Sequence, residues 1–252
     1  MLCQQNSCNT PASKRKREQR VAENCGLKLA TKPCTLRAPS PSASLTGKAA
    51  ASHMTILIAT DVFGVTPALA SLLRTLDHRC LVVSPFDDPQ QYFQSEQTAY
   101  YAFLAQGGVS RYADKLTQHL QKHSAGIRIA LGFSAGASAL WVASASEAAK
   151  ALRAAVLFYG SRIRDHKQVQ PRCPVRLIFA EKEAAFDAPQ LTAELQQLGH
   201  QAELVRNTRH GFMNPYSRGF NVKAHALYLD QLAALAQRHC LAKPVEELAD
   251  IN

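Results

Sequence analysis

The sequence predicts an α/β domain in which a mostly parallel sheet is covered by helices on both faces. From residue 54 onward, short runs rich in Val, Ile and Leu alternate with longer stretches whose apolar residues recur at helical spacing. Parallel strands are buried on both faces and therefore read as nearly continuous apolar runs. No internal repeat and no second boundary follow residue 54, so we expect residues 54–252 to form one domain.

Six strands and five helices follow from this alternation. The strands are expected at 55–59, 80–84, 127–131, 155–158, 175–180 and 202–206. Helical patterns occupy the intervals at 67–76, 96–123, 135–150, 188–198 and 224–239. Trp141, in the third of these helices, is expected in the core.

Residues 1–53 differ from the rest of the chain in charge and composition. They hold nine Lys and Arg against two Glu, a net charge of +7, whereas the remainder holds 20 against 17, a net charge of +3. Basic runs such as 14–17 (KRKR) are mostly solvated tails, and residues 33–52 are a linker rich in Pro, Ser and Ala. We expect a disordered basic tail, whose role stays open, and a nearly neutral domain without nucleic acid as a partner.

The cysteines and the apolar runs bear on the compartment. Four of the seven cysteines lie in residues 1–53 at spacings that match no zinc site, and the other three are scattered singly. Such thiols are typical of a reducing compartment. No run approaches the ~20 apolar residues of a membrane span, and no apolar stretch of a signal peptide follows the basic N-terminus. We expect a cytoplasmic protein that binds neither a membrane nor a metal ion.

A serine follows the third predicted strand in the pattern G-x-S-x-G. Ser134 stands between Gly132 and Gly136, and a helical pattern begins directly after it. A nucleophile elbow needs small residues two positions before and after its nucleophile, because the backbone turns sharply there. A serine that only caps a helix can produce the same pattern. The position between a strand and a helix therefore distinguishes the two interpretations, and it predicts that Ser134 is a nucleophile.

A histidine follows the last predicted strand. His210 stands before Gly211 in the segment 206–212 (RNTRHGF). A serine hydroxyl is a poor nucleophile at neutral pH unless a base accepts its proton, and histidine is the usual base. The other eight histidines lie in or beside helical patterns, or in connections that follow no late strand. The order nucleophile, acid, histidine is the one used by sheets of this kind. His210 is the expected base.

Two carboxylates after the fifth predicted strand compete for the role of the acid. Glu183 comes three residues after the strand end, at a distance suited to orienting the histidine. Asp187 begins a helical pattern, with Pro189 in the first turn and Gln190 three residues on, so helix capping explains it. We favour Glu183, and Asp187 stays the alternative.

A tetrahedral intermediate also needs two donors for its oxyanion. One should be the backbone N–H of Ala135, directly after the nucleophile, and the other should come from the loop after the first strand, at Val62. Residues near the strand ends are expected to line a substrate pocket. They are Asp61, Phe63, Tyr159 and Phe212, with Phe186 and Tyr216 as further aromatic candidates.

Four segments together resemble the dienelactone hydrolase family. They are the loop 61–66 (DVFGVT), the elbow 132–136 (GFSAG), the turn 180–183 (AEKE) and the segment 210–212 (HGF). The resemblance spans nearly all of residues 55–239. It implies the α/β-hydrolase fold, trimmed at its N-terminal edge because the two usual opening strands have no counterpart before residue 55. It also implies hydrolysis of an ester or lactone through an acyl-enzyme, without metal or organic cofactor.

This chain departs from the family's namesakes at several positions. Ser134 stands where they carry a cysteine nucleophile, Asp61 where they usually carry Glu, and Glu183 where their triad has Asp. The namesakes hold a substrate carboxylate with arginines, for which Arg206 is a candidate here. The reaction class therefore transfers better than the substrate, which we expect to be a small ester or lactone.

Two other functions fit the same scaffold. The presence of all three triad residue types in order favours an enzyme over a non-catalytic binding protein. An acyltransferase differs from a hydrolase only in the nucleophile that accepts the acyl group, and the sequence leaves this alternative open. The identity of the substrate and the oligomeric state are open as well.

Overall fold

A computed structural model of the chain describes residues 54–89 and 91–241, and its centre is one sheet. The six strands are β1 (Thr55–Ala59), β2 (Arg79–Val83), β3 (Ile127–Phe133), β4 (Ala154–Phe158), β5 (Val175–Lys182) and β6 (Gln201–Arg209). Their order across the sheet is β2-β1-β3-β4-β5-β6, and every neighbouring pair is parallel. The predicted α/β-hydrolase class and all six strands are confirmed.

Six α-helices and two 3-10 helices connect the strands in the described part of the chain. The α-helices are α1 (Leu69–Leu76), α2 (Glu96–Ala105), α3 (Gly108–Lys122), α4 (Ala135–Ala143), α5 (Ala188–Gln197) and α6 (Val222–Leu241). The 3-10 helices are Glu147–Ala151 and Ser161–Asp165. Two predicted helices need correction. The helix expected at 96–123 is divided, because Gly107 adopts a φ of +89°, which is outside the helical region, and α3 begins after it. The helix expected at 135–150 ends at Ala143.

Both faces of the sheet are apolar, because neighbouring residues of each strand point to opposite sides and apolar residues occur at both sets of positions. Leu57 and Leu157 join the side chains of α2, α3, α4 and α5 in one buried cluster. Ile58 and Phe158 join those of α1 and α6 in another. Trp141 of α4 is fully buried in the first cluster, as predicted. The expected helices on both faces are therefore present.

The strand order creates the place for a site. The chain runs from β1 outward to β2 and then returns to β3 on the other side of β1. Where the order of a parallel sheet reverses in this way, the loops at the carboxyl ends of the two strands separate and leave a crevice. The crevice here lies between the segments that follow Ala59 and Phe133. These segments contain Val62 and Ser134.

Several predictions lie outside the described residues. The tail at 1–53, its boundary with the domain at residue 54 and the linker at 33–52 therefore stay predictions. Within the described part of the chain, Cys80 and Cys173 are free thiols. No helix of that part is long and apolar enough to cross a membrane.

Candidate active site

Ser134 occupies a strained turn between β3 and α4. Its backbone has φ +50° and ψ −108°, a conformation that side-chain-bearing residues rarely adopt. Its N–H donates to the carbonyl of Phe158 in β4 at 2.9 Å, and its own carbonyl accepts from the N–H of Ser138 at 3.0 Å. The turn is thus held from both sides, and it presents the Ser134 hydroxyl at the carboxyl end of the sheet.

The two glycines of the elbow permit close backbone contacts. A Cβ added to Gly136 would lie 2.3 Å from the carbonyl oxygen of Ala59 in β1. A Cβ added to Gly132 would lie 2.7 Å from the Cα of Ala137. Both contacts are with backbone, which cannot move aside as a flexible side chain can. The predicted requirement for small residues therefore has a physical cause in the contact of α4 with β1 and in the tightness of the turn.

The structure brings Ser134, His210 and Glu183 together. The Ser134 Oγ lies 2.8 Å from His210 Nε2, and His210 Nδ1 lies 2.7 Å from Glu183 Oε2. Sheet register explains the second contact: Lys182 of β5 is paired with Arg209 of β6, so the next residues of the two strands are neighbours. A carboxylate can only accept, so Nδ1 donates to it and Nε2 is left to accept from the serine hydroxyl.

The alternative acid, Asp187, lies elsewhere. Its exposed side chain caps α5 by accepting the N–H of Gln190 at 2.9 Å. Helix capping was the role that the sequence pattern indicated for this residue. The carboxylate at His210 therefore belongs to Glu183.

Burial and charge set the proton affinity of His210. The side chain of Glu183 is only 2% exposed, whereas that of His210 is 29% exposed towards the cavity. Burial opposes protonation of the imidazole, but the hydrogen bond and charge of Glu183, with the charges of Glu96 and Asp61, outweigh it. The net effect raises the pKa of His210 above its ordinary value. The environment thus stabilises an imidazolium beside Ser134.

The backbone N–H groups of Ala135 and Val62 are the candidates for an oxyanion site. Ala135 is the first residue of α4, where N–H groups have no intrahelical acceptor. In the loop after β1, the N–H of Phe63 donates to the Asp61 carboxylate at 3.0 Å and that of Gly64 to the Asp61 carbonyl at 3.2 Å. Within residues 54–89 and 91–241, the N–H of Val62 has no acceptor. Val62 and Ala135 both line the cavity that contains Ser134.

This cavity has a volume of about 910 Å³, within the usual range for small-molecule sites. Its wall combines aromatic and basic side chains. The aromatic ones are Phe63, Tyr100, Phe103 and Tyr216, and the basic ones are Arg162, Arg164 and Arg218. Of the predicted pocket residues, Phe63 and Tyr216 are therefore in place.

The other predicted pocket residues do not line this cavity. Tyr159 and Phe212 are fully buried beneath His210, and the Tyr159 ring lies 5.1 Å from the rings of both His210 and Phe212. Asp61 is buried within the loop after β1, and Phe186 packs against Phe179. Asp61 and Tyr159 line a second, smaller cavity of about 50 Å³, whereas Phe212 lies in the core and Phe186 is half-buried.

The basic residues were not found from the sequence. Arg206, the candidate suggested by the family resemblance, is exposed and does not line the cavity. Arg162 and Arg164 come from the 3-10 helix after β4, and Arg218 comes from the loop after His210. Their positions after carboxyl strand ends were a usable signal. Among the described residues, no cluster of three or more His, Cys, Asp or Glu side chains could hold a metal ion.

Known proteins share the sequence pattern and the fold of this chain. A family model described as the dienelactone hydrolase family matches residues 42–239. The Bacillus subtilis (strain 168) protein named Uncharacterized protein YczH is 29% identical over 187 residues, which cover 71% of this chain and 89% of the relative. The crystal structure of a candidate dienelactone hydrolase from Klebsiella pneumoniae has a TM-score of 0.57 and 18% identity, covering 76% of this chain and 89% of that chain. This structural likeness shows the shared fold.

The contact between Gly136 and β1 predicts the effect of adding one methyl group. Gly136→Ala should lower the melting temperature, because overpacking of this kind costs about 1–3 kcal/mol and each kcal/mol lowers Tm by about 2–4 °C in a domain of this size. Gly126→Ala is the matched control, since an added Cβ there meets nothing closer than 3.9 Å. Thermal unfolding followed by circular dichroism measures both. Equal melting temperatures for the two variants would contradict this account of the elbow.

Proposed function

This chain belongs to the dienelactone hydrolase family and is a hydrolase, and we propose that it cleaves an ester or lactone through a Ser-His-Glu triad and an acyl-enzyme intermediate. The observation that carries the proposal is the unbroken hydrogen-bonded path from Ser134 Oγ through His210 to Glu183. Each contact is short enough for proton transfer or for orienting the base. The chain is thus a serine variant of a family whose namesakes use cysteine.

In the first half of the proposed reaction, the Ser134 oxygen attacks the carbonyl carbon while His210 Nε2 takes the hydroxyl proton. The carbonyl oxygen becomes an oxyanion that accepts hydrogen bonds from the N–H groups of Val62 and Ala135. Glu183 stabilises the imidazolium that forms. His210 then gives its proton to the departing alcohol oxygen, the ester bond breaks, and the acyl group stays on Ser134.

In the second half, water repeats these steps in the place of the serine hydroxyl. His210 takes a proton from the water as its oxygen attacks the acyl carbon, and then returns a proton to Ser134 Oγ as the acid leaves. A lactone follows the same course, except that its alcohol oxygen stays attached to the acyl group. Because His210 must be neutral to accept a proton, activity should fall as the pH decreases through its pKa, which lies above the ordinary value for histidine.

The basic wall of the cavity favours a substrate with a negatively charged group. Arg162 and Arg164 both contact Asp165, at 3.1 and 3.7 Å, so their charges are partly compensated. Within the described part of the chain, Arg218 has no hydrogen-bond or ion-pair partner. Glu96 is the exposed acid on the same wall. A guanidinium without a partner beside the nucleophile suits a substrate carboxylate.

The role of Ser134 can be tested directly. Ser134→Ala should lower turnover of short-chain p-nitrophenyl esters and small lactones by at least about a thousandfold, because the nucleophile is lost. A fluorophosphonate probe should label the wild type at Ser134 and leave the variant unlabelled. An unchanged melting temperature serves as the control for folding. Turnover that persists in a folded Ser134→Ala variant would refute the serine mechanism.

Substitutions of the two acids in the β5–α5 loop, Glu183 and Asp187, should have different effects. Glu183→Gln should reduce kcat by orders of magnitude, because the amide cannot stabilise the imidazolium. Asp187→Ala should leave kcat within a few-fold and lower stability by about 1 kcal/mol, since it removes a helix cap. Steady-state kinetics and thermal unfolding of both variants measure this difference. If Asp187→Ala is the inactive variant, the proposed triad is wrong.

Arg218 should affect charged substrates selectively. Arg218→Gln should raise KM about fivefold for the mono-p-nitrophenyl ester of succinic acid, as expected for loss of one exposed charge interaction. KM for the neutral p-nitrophenyl butyrate should not change. Arg206→Gln removes an equal charge outside the cavity and is the matched control. Similar effects of the two variants would assign the preference to overall charge and not to the site.

A further inference from the structure

One buried carboxylate near Ser134 has no part in the triad. Asp61 lies in the loop after β1, directly before Val62. It is only 7% exposed and does not line the cavity that contains Ser134. Its Oδ1 accepts the N–H of Phe63 at 3.0 Å, and its Oδ2 accepts the side-chain amide of Asn214 at 2.6 Å. A buried charge is costly unless it is paired in this way.

We propose that the hydrogen bond between Asp61 and Asn214 acts as a clamp between two loops. The clamp keeps the Val62 N–H at a fixed position relative to Ser134 and His210. The inference rests on the proposed function, because it assigns Val62 to the oxyanion site. Asp61 is then a positioning residue: it acts through the backbone of its own loop and touches no reacting atom.

The clamp joins segments that the sheet does not join. β1 and β6 are separated by β3, β4 and β5, and Asp61 and Asn214 are 153 residues apart in the chain. One segment carries an oxyanion donor and the other follows the base, His210. Two groups that must act on one carbonyl are thereby connected by a direct polar contact.

Each end of the clamp is fixed by further hydrogen bonds. The Asn214 N–H donates to the carbonyl of Gly211 at 2.9 Å, and its Oδ1 accepts the N–H of Tyr216 at 2.8 Å. Since the amide oxygen faces Tyr216, the amide nitrogen must face Asp61. The Phe63 carbonyl in turn accepts the N–H of Phe93 at 2.9 Å. The clamp therefore connects two rigid loops.

The ionised form of Asp61 is the one that matches its two donors. Burial raises its pKa to about 6, although the hydrogen bonds from Asn214 and Phe63 and the charge of His210 lower it, and Glu96 raises it. The phenols of Tyr112 and Tyr159 also face this charge. A protonated carboxyl would turn an O–H towards a donor and lose one contact.

Exchanging the two residues tests the clamp. In Asp61→Asn, the new amide oxygen can accept from the N–H of Phe63 only if the new amide nitrogen faces the nitrogen of Asn214. The two amide N–H groups then face each other without an acceptor. In the double variant Asp61→Asn/Asn214→Asp, that nitrogen faces a carboxylate, whose second oxygen can accept from Tyr216. The hydrogen-bond pattern is restored with donor and acceptor reversed.

We expect Asp61→Asn to lower kcat about 10- to 100-fold with little change in KM, since loss of a whole oxyanion donor costs about 100- to 1000-fold. The double variant should regain kcat to within a few-fold of wild type. Hydrogen exchange of the Phe63 amide, measured by NMR, should accelerate in the single variant and slow again in the double variant. This readout does not depend on catalysis.

The outcomes are distinguishable. Absence of labelling at Ser134 in the wild type refutes the proposed function. The hydrogen-exchange data for the Phe63 amide still test the clamp in that case. Unchanged kcat and unchanged Phe63 exchange in Asp61→Asn refute the clamp. A folded double variant without recovery of kcat also refutes it, because the charge at position 61 would then be required where it is.

The acid limb of the pH profile gives a second readout. If kcat/KM requires both neutral His210 and ionised Asp61, its logarithm should rise with a slope approaching about two below pH 6, and with a slope of about one in Asp61→Asn. A purely structural role would leave the slope unchanged between the two proteins. Equal slopes would therefore contradict the clamp.

Discussion

The contact between the first turn of α4 and the end of β1 is the constraint on which the site depends. Gly136 approaches the Ala59 carbonyl so closely that no side chain fits between them. This approach holds the first turn of α4 against the loop after β1, and Ser134 has to take a positive φ to connect β3 to that turn. Ala135 and Val62 consequently line the same cavity. Backbone packing, and not a mobile side chain, thus sets the position of Ser134 relative to the two proposed oxyanion donors.

Parallel register has a similar effect at the other end of the site. Because β5 and β6 end together at Lys182 and Arg209, Glu183 and His210 need only one residue beyond the paired strands to meet. The hydrogen bond between them is therefore built into the sheet. Its electrostatic consequence is a histidine whose proton affinity is raised despite burial, as a base that must form an imidazolium requires.

Local patterns predicted the parts of the structure that local physics determines. Five of the six strands contain clear apolar runs, Ser134 stands in a characteristic pentapeptide, and Asp187 carries the signature of a helix cap, so these features could be found from the sequence. The burial of Asp61 and Tyr159 could not, because it depends on loops that are distant in the chain. The break at Gly107 was missed although its signal, two adjacent glycines, was present. The basic wall was missed because Arg218 is distant in the chain from the 3-10 helix that carries Arg162 and Arg164.

The charges around Ser134 are arranged in two groups, and this arrangement is compatible with the proposed binding of an anionic substrate beside a stabilised imidazolium. Glu183 is hydrogen-bonded to His210, Asp61 acts on it through its charge, and both carboxylates are almost completely buried, where the low dielectric strengthens their effect on the imidazole. Arg162, Arg164 and Arg218 line the cavity towards solvent, where they meet an incoming substrate first. Glu96 is the exposed acid on that wall, and its charge acts on His210 as well. Burial of Glu183 and Asp61 limits the repulsion that these two carboxylates would exert on the proposed anionic substrate.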